Sequence, residues 1–213
     1  EIAIPATTAD AIWLARDLAG LMDQVETEAA GWSTLSNIVS EELPNWWQVT
    51  LDFLNIVTGL WPDILAERKR SNPAAHRNRL IELEAERLLR KAPQGPVIAA
   101  GSTGSIPATA RLLAAIASLP KGALVLPGLD RDMDTNSWNI LANTADNPSI
   151  FGHPQYGLRK LLAELGILRQ DVTVLGKSAP EKRQRETLLA EAMRPAETSE
   201  AWADINRQGG SFS

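Results

Sequence analysis

The stretch from Val97 to Asp130 constrains the fold more than any other part of the sequence. A short apolar run at 97–100 precedes a loop of small residues, Gly101–Ser105, and a helix-type pattern over Pro107–Leu119. A second apolar run follows at 123–126. A strand, a loop, a helix and a strand within roughly 34 residues is the size of a βαβ unit. We therefore predict an α/β fold with parallel strands here.

The helix of this unit has its own sequence signals. Pro107 lies in the first helical turn, where a missing N–H costs little. Apolar side chains recur at helical spacing and predict one buried face: Leu112, Leu113, Ile116 and Leu119.

The loop at 101–105 is a candidate ligand site, because open α/β sheets bind ligands at the carboxyl ends of their strands. Exposed backbone N–H groups at the start of a helix favour an anion. The loop nevertheless matches neither nucleotide-binding glycine motif, since no lysine follows Gly104 at the required place. Taken alone, it is typical of a tight turn that joins two core elements.

A serine hydrolase is one alternative. Ser102 lies in a relaxed version of the nucleophile-elbow motif, with Ala100 in place of the first glycine. Asp130 and His153 follow in the chain order of α/β hydrolases, so Ser102 would be the nucleophile, His153 its base and Asp130 the orienting acid. Two features count against this alternative. A long helical region, in place of several strands, precedes the serine, and the triad is compressed into about 50 residues.

Composition sets further limits. The 213 residues suit one large domain or two small ones. The chain has no cysteine, which excludes disulfides and thiolate metal sites and fits a reducing compartment. No apolar run is long enough for a membrane span. The first residue is Glu1 and no signal-peptide pattern follows, so we expect an internal piece of a longer protein.

Charge is distributed unevenly along the chain. Residues 1–66 hold one basic and ten acidic residues, residues 67–92 hold eight basic and four acidic ones, and the remainder holds twelve of each. The overall net charge of −5 gives no indication of nucleic-acid binding. In the basic segment, interleaved glutamates can pair with the arginines along one helix, which favours a solvated face.

Residues 1–92 are predicted to form a helical subdomain, and residues 93–213 an α/β part. Thr7 is a suitable N-cap for a first helix with Asp10 in its first turn. A helix that is apolar on two faces is predicted from Pro44 to Trp61, and another helix over Ala74–Lys91. A short helix between them is suggested by Leu35, Ile38 and Val39. Four tryptophans are predicted to lie in the core rather than on a base-stacking platform: Trp13, Trp46, Trp47 and Trp61.

The last third of the chain mixes helices with one more predicted strand. Helices are expected over 137–141, over Leu158–Leu165 with Gly166 as its C-cap, and over Arg185–Met193. The apolar residues at 171–175 predict a strand. Acids alternate at Asp130, Asp132 and Asp134, but the glycine and distal glutamate of a calcium loop are missing, so a solvated loop is favoured.

A family resemblance covers about Asp10 to Trp202. The segments Pro96–Ala117, Gly122–Asp130 with the later Trp138, and His153–Leu162 are very similar to the AddB subunit of bacterial AddAB helicase–nucleases, particularly the alphaproteobacterial type. The segments Trp46–Arg68 and Glu191–Trp202 resemble the same family. The combination is specific, although no single segment would be.

The resemblance implies an internal part of a double-strand-break repair machine. This part would be a helicase-like, P-loop NTPase-type core fragment preceded by a helical insertion. The parent would belong to an ATP-dependent helicase and exonuclease of the cytoplasm, active in DNA recombination. Its partners would be the AddA helicase–nuclease subunit and double- and single-stranded DNA, with no membrane. Magnesium and an iron–sulfur cluster would lie elsewhere in the parent, and this chain would hold no cofactor or metal.

The resemblance also implies a second interpretation of the loop at 101–105. An active helicase of this class ends the matching strand in Asp-Glu, which holds magnesium and activates water. No carboxylate stands at Gly101, Ser102, Thr103 or Gly104, and the next strand leads only to Asp130. The prediction is a degenerate nucleotide site with no catalytic residue. A pure protein-interaction scaffold without DNA contact is the other alternative.

A second candidate cluster precedes the helix predicted over Leu158–Leu165. His153, Gln155 and Tyr156 are candidate DNA or interface contacts, or else a cap and packing motif. Arg194 lies near the position of a helicase arginine, and we assign it no role.

Overall fold

The computed structural model describes residues 7–32, 54–143 and 147–202. These ranges form a mostly helical, mixed α/β structure with a two-stranded parallel sheet. Helices α1–α3 are Thr8–Thr27, Trp61–Glu67 and Pro73–Arg90, and a π-helix, Ile56–Leu60, precedes α2. Strand β1 is Val97–Ala100, helix α4 is Pro107–Ala117 and strand β2 is Gly122–Val125. Helices α5–α7 are Thr135–Ile140, Tyr156–Leu165 and Pro180–Ala192. Short 3-10 turns occupy Pro148–Gly152, Arg169–Asp171 and Ala196–Thr198.

The structure divides into two compact units. One holds the described residues up to Arg87 together with Ile106–Arg111, and the other holds Leu88–Ser105 and the described residues from Leu112 onward. None of the helices in the described ranges combines the length and apolar character that a membrane crossing needs.

The predicted βαβ unit is confirmed. Val97 pairs with Gly122 and Ala100 with Val125 in parallel register, and α4 connects the two strands. Gly122 permits the tight return from the helix, because a methyl group there would lie 1.7 Å from the carbonyl oxygen of Ile116. The predicted apolar stripe of α4 faces inward, with Leu113 and Ile116 buried.

The main core of the second unit lies under α5 and α6. Its buried residues are Met133, Trp138, Leu141, Ile150 and Leu162. Partly buried hydrophobic residues pack against them: Leu126, Leu129, Ile140, Tyr156 and Val172. Gly166 ends α6 in the left-handed conformation at φ 65°, which confirms the predicted C-cap.

In the first unit, the end of α1 is joined to the start of α3. The side-chain amide of Asn78 donates to the carbonyl oxygen of Glu26 at 2.7 Å, and Arg77 donates to the Thr27 hydroxyl at 2.8 Å. Thr7 caps α1 through Asp10 N–H, as predicted. Salt bridges along α3 confirm that Arg79 and Arg87 pair with interleaved glutamates.

The predicted strand at 171–175 is wrong. Asp171 ends a 3-10 turn and the following residues form no strand. Val172 packs against the core, whereas Val174 and Leu175 are 59% and 74% exposed. One inward side chain is enough to anchor the segment, so the apolar run does not need a ladder partner. Helix α7 also begins earlier than predicted, at Pro180 instead of Arg185, because a proline suits the first turn.

Two predictions of burial in the first unit are also wrong. Helix α1 has no buried residue, and Trp13 is 59% exposed with the Arg16 guanidinium 5.6 Å from its ring centroid. Trp61 is 39% exposed and donates its indole N–H to Asn72. On one predicted face of this segment Leu54 and Val57 are buried, whereas Leu60 on the other face is exposed. The predicted helix at 35–39, Trp46 and Trp47 lie outside the described residues.

Candidate functional site at the carboxyl ends of the strands

Two N–H groups of the loop after β1 are already hydrogen-bonded within the protein. Gly101 and Gly104 adopt positive φ values of 80° and 64°, which L-residues rarely take. The Gly101 N–H donates to the Val125 carbonyl, and the Gly104 N–H donates to the Ser102 hydroxyl at 3.3 Å. The Gly104 N–H therefore already has an acceptor within the turn.

Helix α6 packs directly against this loop. A methyl group on Gly104 would lie 3.0 Å from Cδ1 of Leu161, a side chain that is only 1% exposed. Gly157, in the first turn of α6, faces Thr103 and Ser105, whose Cβ atoms would lie 3.8 Å from a methyl group there. Apolar side chains therefore pack against Gly104, and its N–H already donates to Ser102. The loop also contains no carboxylate that could hold magnesium beside a nucleotide.

The side chain of Gln155, the N-cap residue of α6, is hydrogen-bonded to the loop after β2. Gln155 donates its amide to the Gly128 carbonyl at 2.9 Å and accepts from the Asp130 N–H at 3.0 Å. The Asp130 carboxylate accepts from the backbone N–H groups of Asp132 and Met133 at 2.8 and 2.9 Å. Asp130 therefore shapes its own turn, and Gln155 fixes that turn to the helix.

His153 has both ring nitrogens engaged. Nδ1 accepts the Gln155 N–H at 3.1 Å, so the proton is on Nε2, which donates to the Met193 carbonyl at 2.6 Å. Tyr156 packs edge-on against Phe151, with ring centroids 5.2 Å apart. Of the three candidate contacts, His153 and Gln155 make internal hydrogen bonds, and Tyr156 packs against the core of its unit.

The structure does not bring Ser102, Asp130 and His153 together through hydrogen bonds. The Ser102 hydroxyl accepts within its own loop, the Asp130 carboxylate accepts from its own turn, and neither His153 nitrogen is left to act as a base. A triad needs the base to contact the nucleophile and the acid to contact the base. The described contacts therefore do not favour the hydrolase alternative.

A buried network around Ser137 was not predicted from the sequence. Ser137 is fully buried, and its hydroxyl lies 2.6 Å from a carboxylate oxygen of Asp134 and 2.7 Å from the Thr198 hydroxyl. Arg194, whose side chain is 12% exposed, also donates to Asp134 and pairs with Glu191. Asp134 is the N-cap of α5, and the Asp-x-x-Ser spacing is the signal that indicates this cap.

Electrostatics support the same network. Partial burial raises the pKa of Asp134, but hydrogen bonds from Ser137 and the nearby Arg194 charge outweigh it, so that pKa lies below its ordinary value. The hydrogen bond to Glu191 does most to raise the pKa of Arg194. Arg194 thus has a structural role in this unit.

Trp138 is covered by two arginines. The guanidinium of Arg169 lies 4.6 Å from its ring centroid and that of Arg159 lies 5.7 Å away. Arg169 also donates to the carbonyl oxygens of Asp130 and Met133 at 3.2 and 2.7 Å. Burial lowers the pKa of Arg169 from its ordinary value, although Asp130 raises it. These contacts hold the 130–133 turn onto the core.

The alternating acids do not converge on a metal site. Asp132 pairs with Arg183, Asp134 caps α5, and the Asp130 carboxylate shapes its turn. No group of three or more His, Asp or Glu side chains within the described ranges is arranged to hold a metal ion.

The sequence matches no protein-family model, and comparisons with curated proteins and with solved structures found no similar protein. In the described residues, α6 packs against the loop after β1, at the edge of the sheet where α/β proteins usually bind ligands.

Proposed function

We propose that this chain is an internal, helicase-like portion of an AddB-type subunit that does not hydrolyse ATP. The parent would be part of an ATP-dependent helicase–nuclease that processes double-strand DNA ends for recombinational repair. The resemblance over Asp10 to Trp202 supports this proposal, because it combines several separate segments in one order.

The packing of Leu161 against Gly104 is the observation that best supports the proposed absence of ATP hydrolysis. A working site of this class needs carboxylates after the first strand and open N–H groups for phosphate. This loop contains no acid, the N–H groups of Gly101 and Gly104 already have acceptors, and Leu161 packs against Gly104. A helicase-like fold that has lost its nucleotide would be expected to fill the space in this way.

One face of the two-stranded sheet is exposed, which supports its assignment to a larger helicase-like core. Ile98 is 63% exposed, and Ala100 and Ala123 on the same face are also exposed. Parallel strands are normally covered on both faces. In our proposal, β1 and β2 belong to a larger parallel sheet of the parent protein, whose other elements cover this face.

The proposed partners follow from the same assignment. The chain would work in the cytoplasm in a complex with an AddA-type motor subunit and with double- and single-stranded DNA. Magnesium and the iron–sulfur cluster would lie elsewhere in the parent protein, and no step is assigned to them in this chain.

An ATPase assay of the 213-residue chain tests the loss of activity. We expect no ATP hydrolysis above the blank in the presence of magnesium and either duplex or single-stranded DNA. Hydrolysis that is stimulated by DNA and abolished by Asp130→Ala would overturn the proposal.

A further inference from the structure

Two of the four arginines on helix α3 pair with glutamates of the same helix. Arg79 lies 3.1 Å from Glu86, and Arg87 lies 2.7 Å from Glu84. The surplus of positive charge in residues 67–92 is therefore spread over several groups of that segment.

Three adjacent basic residues of this segment lie in the turn between α2 and α3. Arg68, Lys69 and Arg70, here called the basic turn, are all exposed. Their side chains form no ion pair or hydrogen bond with any residue in the part of the chain that the structure describes. Arg77 stands nearby in the chain and donates to the neutral Thr27 hydroxyl, so its charge is not balanced by that contact.

The backbone of the basic turn is a Schellman cap. The Arg70 N–H donates to the Leu65 carbonyl at 2.8 Å and the Lys69 N–H to the Ala66 carbonyl at 3.1 Å. Lys69 occupies the left-handed position of this cap, at φ 51°, where glycine fits without strain. A lysine in this conformation is less stable than a glycine would be.

The end of α1 has the same Schellman cap, with an alanine at the position that Lys69 occupies after α2. Ala29 ends α1 at φ 51°, with the Ala30 N–H donating to the Val25 carbonyl and the Ala29 N–H to the Glu26 carbonyl. This second cap has the same backbone strain and no cation, so it provides a matched control.

The basic turn is held in place by side-chain contacts on its far side. Asn72 accepts the Trp61 indole N–H at 2.9 Å and donates to Glu26 at 3.4 Å. The three cations are therefore presented from a fixed backbone, which reduces the entropy lost when they bind a partner.

We propose that the basic turn binds the phosphodiester backbone of DNA, an inference that rests on the proposed function. Three adjacent cations without carboxylate partners match a polymer that carries one negative charge every ~1.7 Å of duplex. Contacts to phosphate position a protein without reading sequence. The basic turn should therefore contribute equally to the binding of duplexes of different sequence.

The test compares the 213-residue chain with Lys69→Gly, Lys69→Arg and Ala29→Gly. Binding to two fluorescent duplexes of unrelated sequence is measured at several salt concentrations, and thermal unfolding is measured in parallel. Both glycine variants should raise Tm by about 2–4 °C, because each relieves the same backbone strain. Only Lys69→Gly should weaken DNA binding, with the slope of log K against log salt less steep by about 0.9 on both duplexes. Lys69→Arg should bind like the original chain.

Two results would overturn this inference, and they differ in what else they affect. If the original chain binds DNA and Lys69→Gly binds it equally well, the basic turn is not a DNA contact. The proposed function would then still stand. No salt-sensitive binding by any variant would contradict both this inference and the DNA association in the proposed function, and would favour the protein-interaction scaffold.

Discussion

The side chain of Leu161 lies directly against Gly104, in the space that any larger residue at position 104 would need. Leu113 closes the same space from α4, 3.3 Å from where a methyl group would stand. This contact joins the loop after β1 to α6. The loop lies at the carboxyl end of a parallel strand, where α/β proteins usually bind ligands, but it has no carboxylate and its Gly104 N–H already has an acceptor.

Gly104→Ala should destabilise the fold more than Gly101→Ala does. Both positions have positive φ, which costs an L-residue about 1–2 kcal/mol. A methyl group at Gly101 meets nothing within 4 Å, whereas one at Gly104 presses on Leu161, and such overpacking adds about 1–3 kcal/mol. Urea unfolding of the two variants measures the difference.

A double variant separates packing from backbone strain. Leu161→Ala should itself lower the free energy of unfolding by about 2–5 kcal/mol, since the side chain is fully buried. In that background, Gly104→Ala should cost only the strain term. Costs that simply add would show that the two residues do not compete for the same space.

Gln155→Ala should destabilise the second unit and leave DNA binding unchanged. The amide forms two hydrogen bonds with the Gly128–Asp130 loop, and each is worth about 0.5–1.5 kcal/mol. Gln155→Glu can still accept from the Asp130 N–H but can no longer donate to Gly128. We expect both variants to unfold at lower urea concentration. A loss of DNA affinity without a loss of stability would instead make Gln155 a binding residue.

The Asp134 network should make stability fall in acid. The pKa of Asp134 is lower in the folded chain than in the unfolded one, so its ionised carboxylate stabilises the fold above pH of about 4 and loses this effect as pH falls through the folded pKa. Asp134→Asn should be less stable than the original chain near neutral pH. The stabilities of the two proteins should converge as the pH is lowered from neutral through the folded pKa of Asp134, and a difference that does not change with pH would contradict the assignment.

Ser102 should not react with a fluorophosphonate probe. The described contacts leave it without a base, because both nitrogens of His153 are occupied. Mass spectrometry of the treated folded protein should find position 102 unmodified, with Ser102→Ala as the control. Labelling that disappears in both Ser102→Ala and His153→Ala would restore the hydrolase alternative.

The local signals in the sequence predicted much of the second unit. The βαβ unit, α6 and its glycine cap were all predicted from apolar spacing and capping chemistry, and the structure confirms them. These signals are local, because a helix or a tight turn depends on residues that are close together in sequence.

The wrong predictions concern apolar residues whose burial depends on another element of the structure. Spacing indicates which side chains share a face of α1, but it does not show whether another element packs there, and Trp13 remains exposed. At 171–175 the alternation of side chains is compatible with a strand, although no neighbouring strand pairs with it among the described residues. Both outcomes depend on tertiary partners.

The candidate site shows the same limit. The sequence identified the loop at 101–105, but the covering by Leu161 comes from a residue nearly 60 positions away. The links from Gln155 to Gly128 and from Ser137 to Thr198 are also long-range, so no spacing rule could have found them.

Sequencing the reading frame on both sides of the region that encodes Glu1–Ser213 tests the central assignment most directly. The account predicts a phosphate-loop segment upstream and a nuclease domain bracketed by cysteines downstream. A stop codon soon after Ser213, with strand-rich sequence before Glu1, would contradict it.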